Sequence, residues 1–350
     1  MIKDIGVYSV NTEEKIRLNS NENPIEYTAN EMKNILNSLD YVELNRYPNS
    51  DGDKLRKAYG KVINIDKDNL IIGNGSDEMI NLVISKYISK GEKVLTFTKD
   101  FVMYDFYTDL NEGKVVKYKI DLDKGLDIED FIDFGKRENI ELIIFSNPNN
   151  PTGYGFKIKD IKRVLEAFKD KIVLVDEAYC EFYGETMLPF INEYKNLIIT
   201  KTLSKAFGLA ALRVGFLISN KENVKELEKY KTPYNVNTIS QEMAIKVLED
   251  VERFNRNLNL IIKEREELFE KLLNIQEKAN NYGIDIKFYK SKANFVYGES
   301  IYKENLVNEL KNNGILIRSF NDNSFRITVG TKSDNKKVLG VLENFIERSI

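Results

Sequence analysis

The sequence contains no histidine and no tryptophan among its 350 residues, and a single cysteine, Cys180. Without histidine there is no Ser-His-Asp or Cys-His hydrolysis and no histidine-ligated metal site. Proton transfer near neutral pH then falls to Lys, Tyr, Asp or Glu, or to a cofactor. One cysteine excludes an intramolecular disulfide and fits a reducing compartment. Cys180 itself reads as a packing residue rather than a nucleophile. No window approaches the roughly 18 uninterrupted apolar residues of a membrane span, and Met1-Ile2-Lys3-Asp4 lacks the build of a signal peptide. An excess of one charge is missing too: Lys and Arg number 52, Asp and Glu 55, for a formal net charge of -3. There is accordingly no basic stripe of the kind nucleic-acid binders carry, and the scattered Lys and Glu read as solvated helix faces. The expectation is a cytoplasmic protein with no metal, membrane or nucleic-acid partner.

What is present is alternation. Short apolar strands (Leu70–Ile72, Lys93–Thr98, Lys114–Ile120, Glu141–Ser146, Ile172–Val175, Leu197–Thr200, Val214–Ile218) alternate with helical spacing from roughly residue 65 to 220. That order predicts an α/β fold with a mostly parallel, doubly wound sheet. Residues 1–30 read as an N-terminal arm that packs with the small domain and active site, 31–237 as the large domain, and 238–350 as a smaller α+β domain. The smaller domain is entered by a long helical stretch, about Ser240 to Ala279, after the Pro233 boundary. No internal repeat of about 20 to 50 residues is present.

The chemistry concentrates where strands end. Thr202-Leu203-Ser204-Lys205-Ala206-Phe207-Gly208 follows one strand, and Arg213 precedes the next. A partly desolvated lysine can form a Schiff base with an aldehyde cofactor, and Thr202, Ser204 and Arg213 could take that cofactor's phosphate. Gly73-Asn74-Gly75-Ser76-Asp77-Glu78 joins a strand to a helix N-terminus. Ser76 there is either a simple N-cap or part of an anion site built on free N–H groups and the helix dipole. Asp176 ends a strand, where α/β ligands bind, and can keep a pyridine nitrogen protonated. Tyr179 can reach the same ring's phenolic oxygen. Asn150, held between two prolines in Asn147-Pro148-Asn149-Asn150-Pro151-Thr152-Gly153, can donate to a ring oxygen. Phe101 and Tyr104 read either as core or as a surface that stacks on a flat ring. Arg318 and Arg326 fall on strands and can face one anion, or serve as surface ion pairs.

Taken together, Ser146–Gly153, Asp176-Glu177-Ala178-Tyr179 and Ser204-Lys205 with Arg213 resemble a fold-type I pyridoxal phosphate (PLP) aminotransferase. Gly73–Glu78, Leu18-Asn19-Ser20-Asn21-Glu22-Asn23-Pro24 and Phe325-Arg326-Ile327-Thr328-Val329-Gly330 narrow the resemblance to the histidinol-phosphate aminotransferase family, over nearly the whole chain. The resemblance implies Lys205 as the Schiff-base lysine and proton-transfer base, and Asp176 as the partner of the ring nitrogen. It implies Asn150 and Tyr179 at the phenolic oxygen and Phe101 stacked on the ring. The phosphate would be held by Ser76, Asp77, Thr202, Ser204 and Arg213. Tyr47, in Arg46-Tyr47-Pro48, would reach the partner's site and so implies a homodimer. Asn21, Tyr104, Asn235, Arg318 and Arg326 match positions on the substrate side. The family usually carries a Pro-Tyr-x-Pro-Gly element near its N-terminus. This chain has Gly6-Val7-Tyr8-Ser9, and Tyr8 is the candidate for that tyrosine. The implied reaction takes imidazole acetol phosphate and glutamate to histidinol phosphate and 2-oxoglutarate. A related aminotransferase for another small phosphorylated or aromatic compound stays open, as does a PLP-dependent decarboxylase of an amino-acid phosphate.

Overall fold

The structure is a computed structural model describing residues 16–348; Tyr8 lies outside them. The first strand, β1 (Ile16–Leu18), is followed by β2 (Leu70–Asn74), β3 (Lys93–Phe97), β4 (Lys114–Tyr118), β5 (Leu142–Ser146), β6 (Ile172–Asp176), β7 (Leu197–Thr202) and β8 (Val214–Ile218). The strands β2 to β8 form one sheet in the order β2-β8-β7-β6-β5-β3-β4. Their residues divide between two layers. Ile143, Phe145, Val173, Val175 and Ile199 enter one buried cluster, while Leu142, Ile144, Leu174 and Ile198 enter another. Both faces are covered, which is why these strands read as continuous apolar runs rather than alternating ones. Each such fully buried side chain contributes about 1.5–3 kcal/mol relative to exposure.

The β3–β4, β3–β5, β5–β6 and β6–β7 pairs are parallel, but β8 is antiparallel to both β2 and β7. The reason lies in the connection from Thr202 to Val214, which holds only the short helical turn Ala210–Leu212. A parallel return needs a crossover, usually a helix. The chain instead turns back at one edge, so Thr202 pairs with Gly215. The lysine-bearing loop is therefore left at the carboxyl edge of the sheet. The β2 turn meets it there, since Asn74 pairs with Val214. Gly215 permits that meeting, because a Cβ on it would come within 2.3 Å of the Ser76 nitrogen.

The second sheet adds β9 (Lys287–Tyr289), β10 (Phe295–Glu299), β11 (Ile315–Ser319) and β12 (Ser324–Thr328), in the order β1-β11-β12-β10-β9. The arm thus supplies a strand that periodicity did not reveal: β1 runs parallel to β11, with Ile16 opposite Ile315. The long helical stretch is two helices, Thr238–Leu248 and Val251–Asn281. The break falls at Asp250, whose side chain accepts from the Arg253 N–H and caps the second helix, a local bond that competes with helix continuation.

Candidate active site

The carboxyl edge of the large sheet gathers most of the candidate residues. Lys205 is partly buried, and its Nζ donates to the Ser20 carbonyl at 2.9 Å. Burial, helped by the Arg326 charge, lowers its pKa from 10.5 to about 8. The loop is held from the arm: Asn23 Nδ2 donates to the Lys205 carbonyl at 3.3 Å and to that of Ala206 at 3.1 Å. Nζ lies 5.8 Å from the centre of the Tyr179 ring. The Tyr179 hydroxyl accepts from Asn21 Nδ2 at 2.9 Å, and Asn21 is itself fixed by Thr328, whose Oγ1 accepts from the Asn21 N–H and donates to Asn21 Oδ1.

Asp176 sits at the end of β6, buried. It accepts from the Tyr104 hydroxyl at 2.9 Å, from Thr200 Oγ1 at 3.0 Å and from the Ala178 N–H at 3.3 Å. These donors favour the anion, yet burial outweighs them and raises the pKa from 3.8 to about 6. A nearby cationic ring would restore the charge that burial penalises. The Tyr104 side chain is fully buried, its hydroxyl on Asp176. Phe101 stays partly exposed, edge-on to Tyr104 with centroids 5.7 Å apart.

The other end of the edge suits an anion. The helix Ser76–Tyr87 begins at Ser76 with Gly75 as N-cap and no side-chain cap, so Ser76 is not the cap and the first-turn N–H groups keep their dipole end open. Thr202 Oγ1 lies 3.0 Å from Ser204 Oγ, and Arg213 reaches Ser204 Oγ at 3.4 Å and the Asp77 carboxylate at 3.2 Å. Gly75 has φ +83°, and a Cβ there would sit 2.6 Å from the Arg213 Nη2. Glycine therefore leaves the space in which hydroxyls, N–H groups and a guanidinium converge, a donor set that fits a phosphate ester. Asn235 belongs behind this turn. It donates to the Ile72 carbonyl and to Glu78 Oε2.

Across from Phe101, Arg318 and Arg326 are direct cross-strand partners on β11 and β12, which puts them on one face. With Asn150 and Phe101 they line a cavity of about 450 Å³. Arg326 is buried. It donates to Asn150 Oδ1 through Nη1 and to the Asn19 carbonyl at 2.8 Å through Nη2. Tyr47 stands apart from these groups, 82% exposed and stacked on Tyr234 at 4.8 Å. Cys180 is buried and accepts from Lys201, which also pairs with Glu177 and Glu181.

Backbone groups escaped the sequence reading: the Asn19 and Ser20 carbonyls carry no residue-type signal. The hydroxyls of Ser146 and Thr200 were missed as well, and period-2 counting could have flagged them as polar residues inside buried strands.

A mostly parallel sheet with a partly buried lysine, an anion cradle and a buried carboxylate at its carboxyl edge defines a fold-type I PLP-dependent enzyme. Residues 13–342 match the family "Aminotransferase class I and II", and the chain belongs to that family. It is a PLP-dependent aminotransferase. A histidinol-phosphate aminotransferase of Clostridium novyi (strain NT) is 40% identical over 351 residues, covering 98% of this chain and 95% of the relative. The crystal structure of the histidinol-phosphate aminotransferase from Clostridium acetobutylicum superposes with a TM-score of 0.83 at 27% identity, over 95% of this chain and 99% of that one. The Sinorhizobium meliloti histidinol-phosphate aminotransferase, solved with pyridoxal-5'-phosphate, gives 0.85 at 21% identity over 96% and 92%; at that identity it speaks for the fold alone.

Proposed function

We propose that this enzyme transfers an amino group from glutamate to imidazole acetol phosphate, giving 2-oxoglutarate and histidinol phosphate. The observation that carries the reading is the Arg318–Arg326 pair on one face of a single cavity. Guanidinium forks suit a carboxylate and a phosphate alike, so one site serves both substrates in turn. The identity to relatives of that name supports the choice of acceptor.

When bound, PLP supplies the electron sink for the Cα carbanion. The chain supplies the rest. Lys205 Nζ, its pKa lowered to about 8, is the base that would take the proton from the substrate Cα in one half-reaction and return a proton to Cα in the other. Asp176 would hold a proton on the ring nitrogen. Asn150 and Tyr179 would donate to the phenolic oxygen, and Phe101 would stack on the ring. Ser76, Asp77, Thr202, Ser204 and Arg213 hold the phosphate. Tyr47 completes the site of a second subunit in a homodimer. Residues 31–237 serve as the cofactor domain and 238–350 as the smaller domain, with the arm, 1–30, joining the latter through β1. A cytoplasmic location suits this chemistry; among the described residues no helix is long and apolar enough to cross a membrane.

A single half-reaction tests the substrate. The PLP-loaded enzyme is mixed with histidinol phosphate, without keto acid, and the cofactor's visible absorbance is followed. Rapid loss at concentrations of about a millimolar or below is expected. Loss with glutamate alone would keep the aminotransferase and discard this acceptor.

A further inference from the structure

The proton and phosphate chemistry leaves one partly buried acid of the site without a role. Asp100 follows β3 and precedes Phe101. Its Oδ1 accepts from the Phe101 N–H at 2.8 Å and from the Ser146 hydroxyl. Its Oδ2 lies 3.4 Å from both the Ser146 nitrogen and Thr96 Oγ1. Ser146 Oγ, having given its proton to Asp100, accepts the Asn150 N–H at 2.8 Å. Ser146 is also the last residue of β5 and the cross-strand partner of Asp176. One carboxyl thus ties together the ends of β3 and β5, the backbone of Phe101 and, through a single hydroxyl, the backbone of Asn150. Asp100 also lines the cavity shared by Arg318 and Arg326.

The geometry points to Asp100 as a positioning residue of the cofactor site, whose carboxyl sets Phe101, Asn150 and the end of β5 around Asp176. This rests on the PLP reading of the site. The two close bonds, from the Phe101 N–H and the Ser146 hydroxyl, both fall on Oδ1, so a neutral carboxyl with its proton on Oδ2 keeps them; only the longer contacts of Oδ2 with the Ser146 N–H and the Thr96 hydroxyl change. A second anion beside Asp176 in so desolvated a place is disfavoured. Burial, with a contribution from the Asp176 charge, pushes the Asp100 pKa from 3.8 up to about 8. An asparagine should therefore stand in for the acid where the tie is made, its Oδ1 accepting from Phe101 and the Ser146 hydroxyl and its amide facing Thr96, at the cost of the long Ser146 N–H contact.

The test compares Asp100→Ala, Asp100→Asn and Ser146→Ala with the wild type. Apo protein is titrated with PLP, and the dissociation constant and the pH midpoint of the bound cofactor's visible band are read together with the melting temperature. Loss of the tie is expected to weaken PLP about tenfold in Asp100→Ala, the scale of one hydrogen bond to a buried acceptor, and to move the band's midpoint. Ser146→Ala, which removes the hydroxyl that joins Asp100 to Asn150 and leaves the Asp100–Phe101 bond in place, is expected to do the same and serves if the alanine at 100 does not fold. Asp100→Asn should return both readouts to within about threefold of wild type, or less than 1 kcal/mol. Wild-type PLP affinity and midpoint in Asp100→Ala, or in Ser146→Ala where the first variant does not fold, would overturn the role. So would an asparagine variant as impaired as the alanine, because charge rather than placement would then matter. A wild type that shows no visible band with PLP would instead sink the cofactor reading itself, which separates the two failures.

Discussion

Tyr104 donates its hydroxyl to Asp176 at 2.9 Å, and both residues are buried. The bond steadies the anion form of a carboxyl that burial pushes toward neutrality. A hydrogen bond to a charged acceptor is worth about 1.5–3 kcal/mol. Tyr104→Phe keeps the ring and its packing and removes only the donor. Asp176 should then be a weaker partner for the ring nitrogen. The expected outcome is a fall in kcat of about ten- to a hundredfold with PLP still bound, measured by steady-state turnover. An unchanged kcat would reduce Tyr104 to a packing residue.

Lys205 should reveal its shifted pKa when apo enzyme captures PLP. The attacking species is the neutral amine. With a pKa lowered to about 8, the capture rate should climb between about pH 7 and pH 9 and then level, whereas a lysine at its ordinary value keeps climbing beyond about pH 10. The stability sign follows. Between about 8 and 10.5 the unfolded chain holds a proton that the folded one has lost, so this group makes the apo protein more stable as pH rises through that window. Stopped-flow absorbance gives the rate profile. Lys205→Ala should give no visible band and no cofactor retained after borohydride reduction; retention would reassign the lysine.

The strand ends were legible because polar residues stop apolar runs there. Asp176 closes β6, Asn147-Pro148 follows β5, and Gly73–Ser76 leaves β2 for a helix, each a local signal in residue type. Tyr104 was not legible. Its direction depends on how the helix Met103–Leu110 rolls against the sheet, which spacing along the chain does not fix. The bonds of Asn235 were illegible for the same reason: its partners, Ile72 and Glu78, come from a distant turn. The β1 strand has only three residues, and its pairing with β11 spans nearly the whole chain, so neither period nor propensity could announce it. The antiparallel β8 follows from a short connection, and connection length was on the page, although its consequence for strand direction went unread.

Asp176→Asn should separate activity from stability. In the apo protein the acid's pKa is raised from 3.8 to about 6. The folded state therefore holds the proton between those values while the unfolded state has lost it. Stability from this group falls as pH rises through that window, and the full cost, about 3 kcal/mol as an upper figure, stands above it. The amide removes that cost. Apo Asp176→Asn is expected to melt higher than the apo wild type at pH 7 and to lose the advantage near pH 4, read by thermal denaturation at both values. Turnover should move the other way, down at least about a hundredfold, because a neutral amide cannot stabilise the protonated ring. A variant that is both less stable at pH 7 and nearly as active would contradict both halves of the account.

Tyr47 is 82% exposed in the single chain, next to Tyr41 at 94% and Leu44 at 82%. Large apolar side chains exposed on one surface are the composition of an interaction site, and in a symmetric dimer the same residues would serve both subunits. If Tyr47 reaches the cofactor phosphate of its partner, Tyr47→Phe should weaken PLP about tenfold by losing one hydrogen bond to an anion. The decisive measurement uses mixed subunits at limiting PLP. A dimer of one Tyr47→Phe subunit and one Lys205→Ala subunit holds one site with Lys205 from the first and Tyr47 from the second, both native. Equal mixing makes half the dimers hybrid, each with one good site, so activity should recover to about a quarter of wild type. If instead Tyr47 serves its own subunit, each hybrid site carries a defect, and mixing two impaired proteins restores nothing.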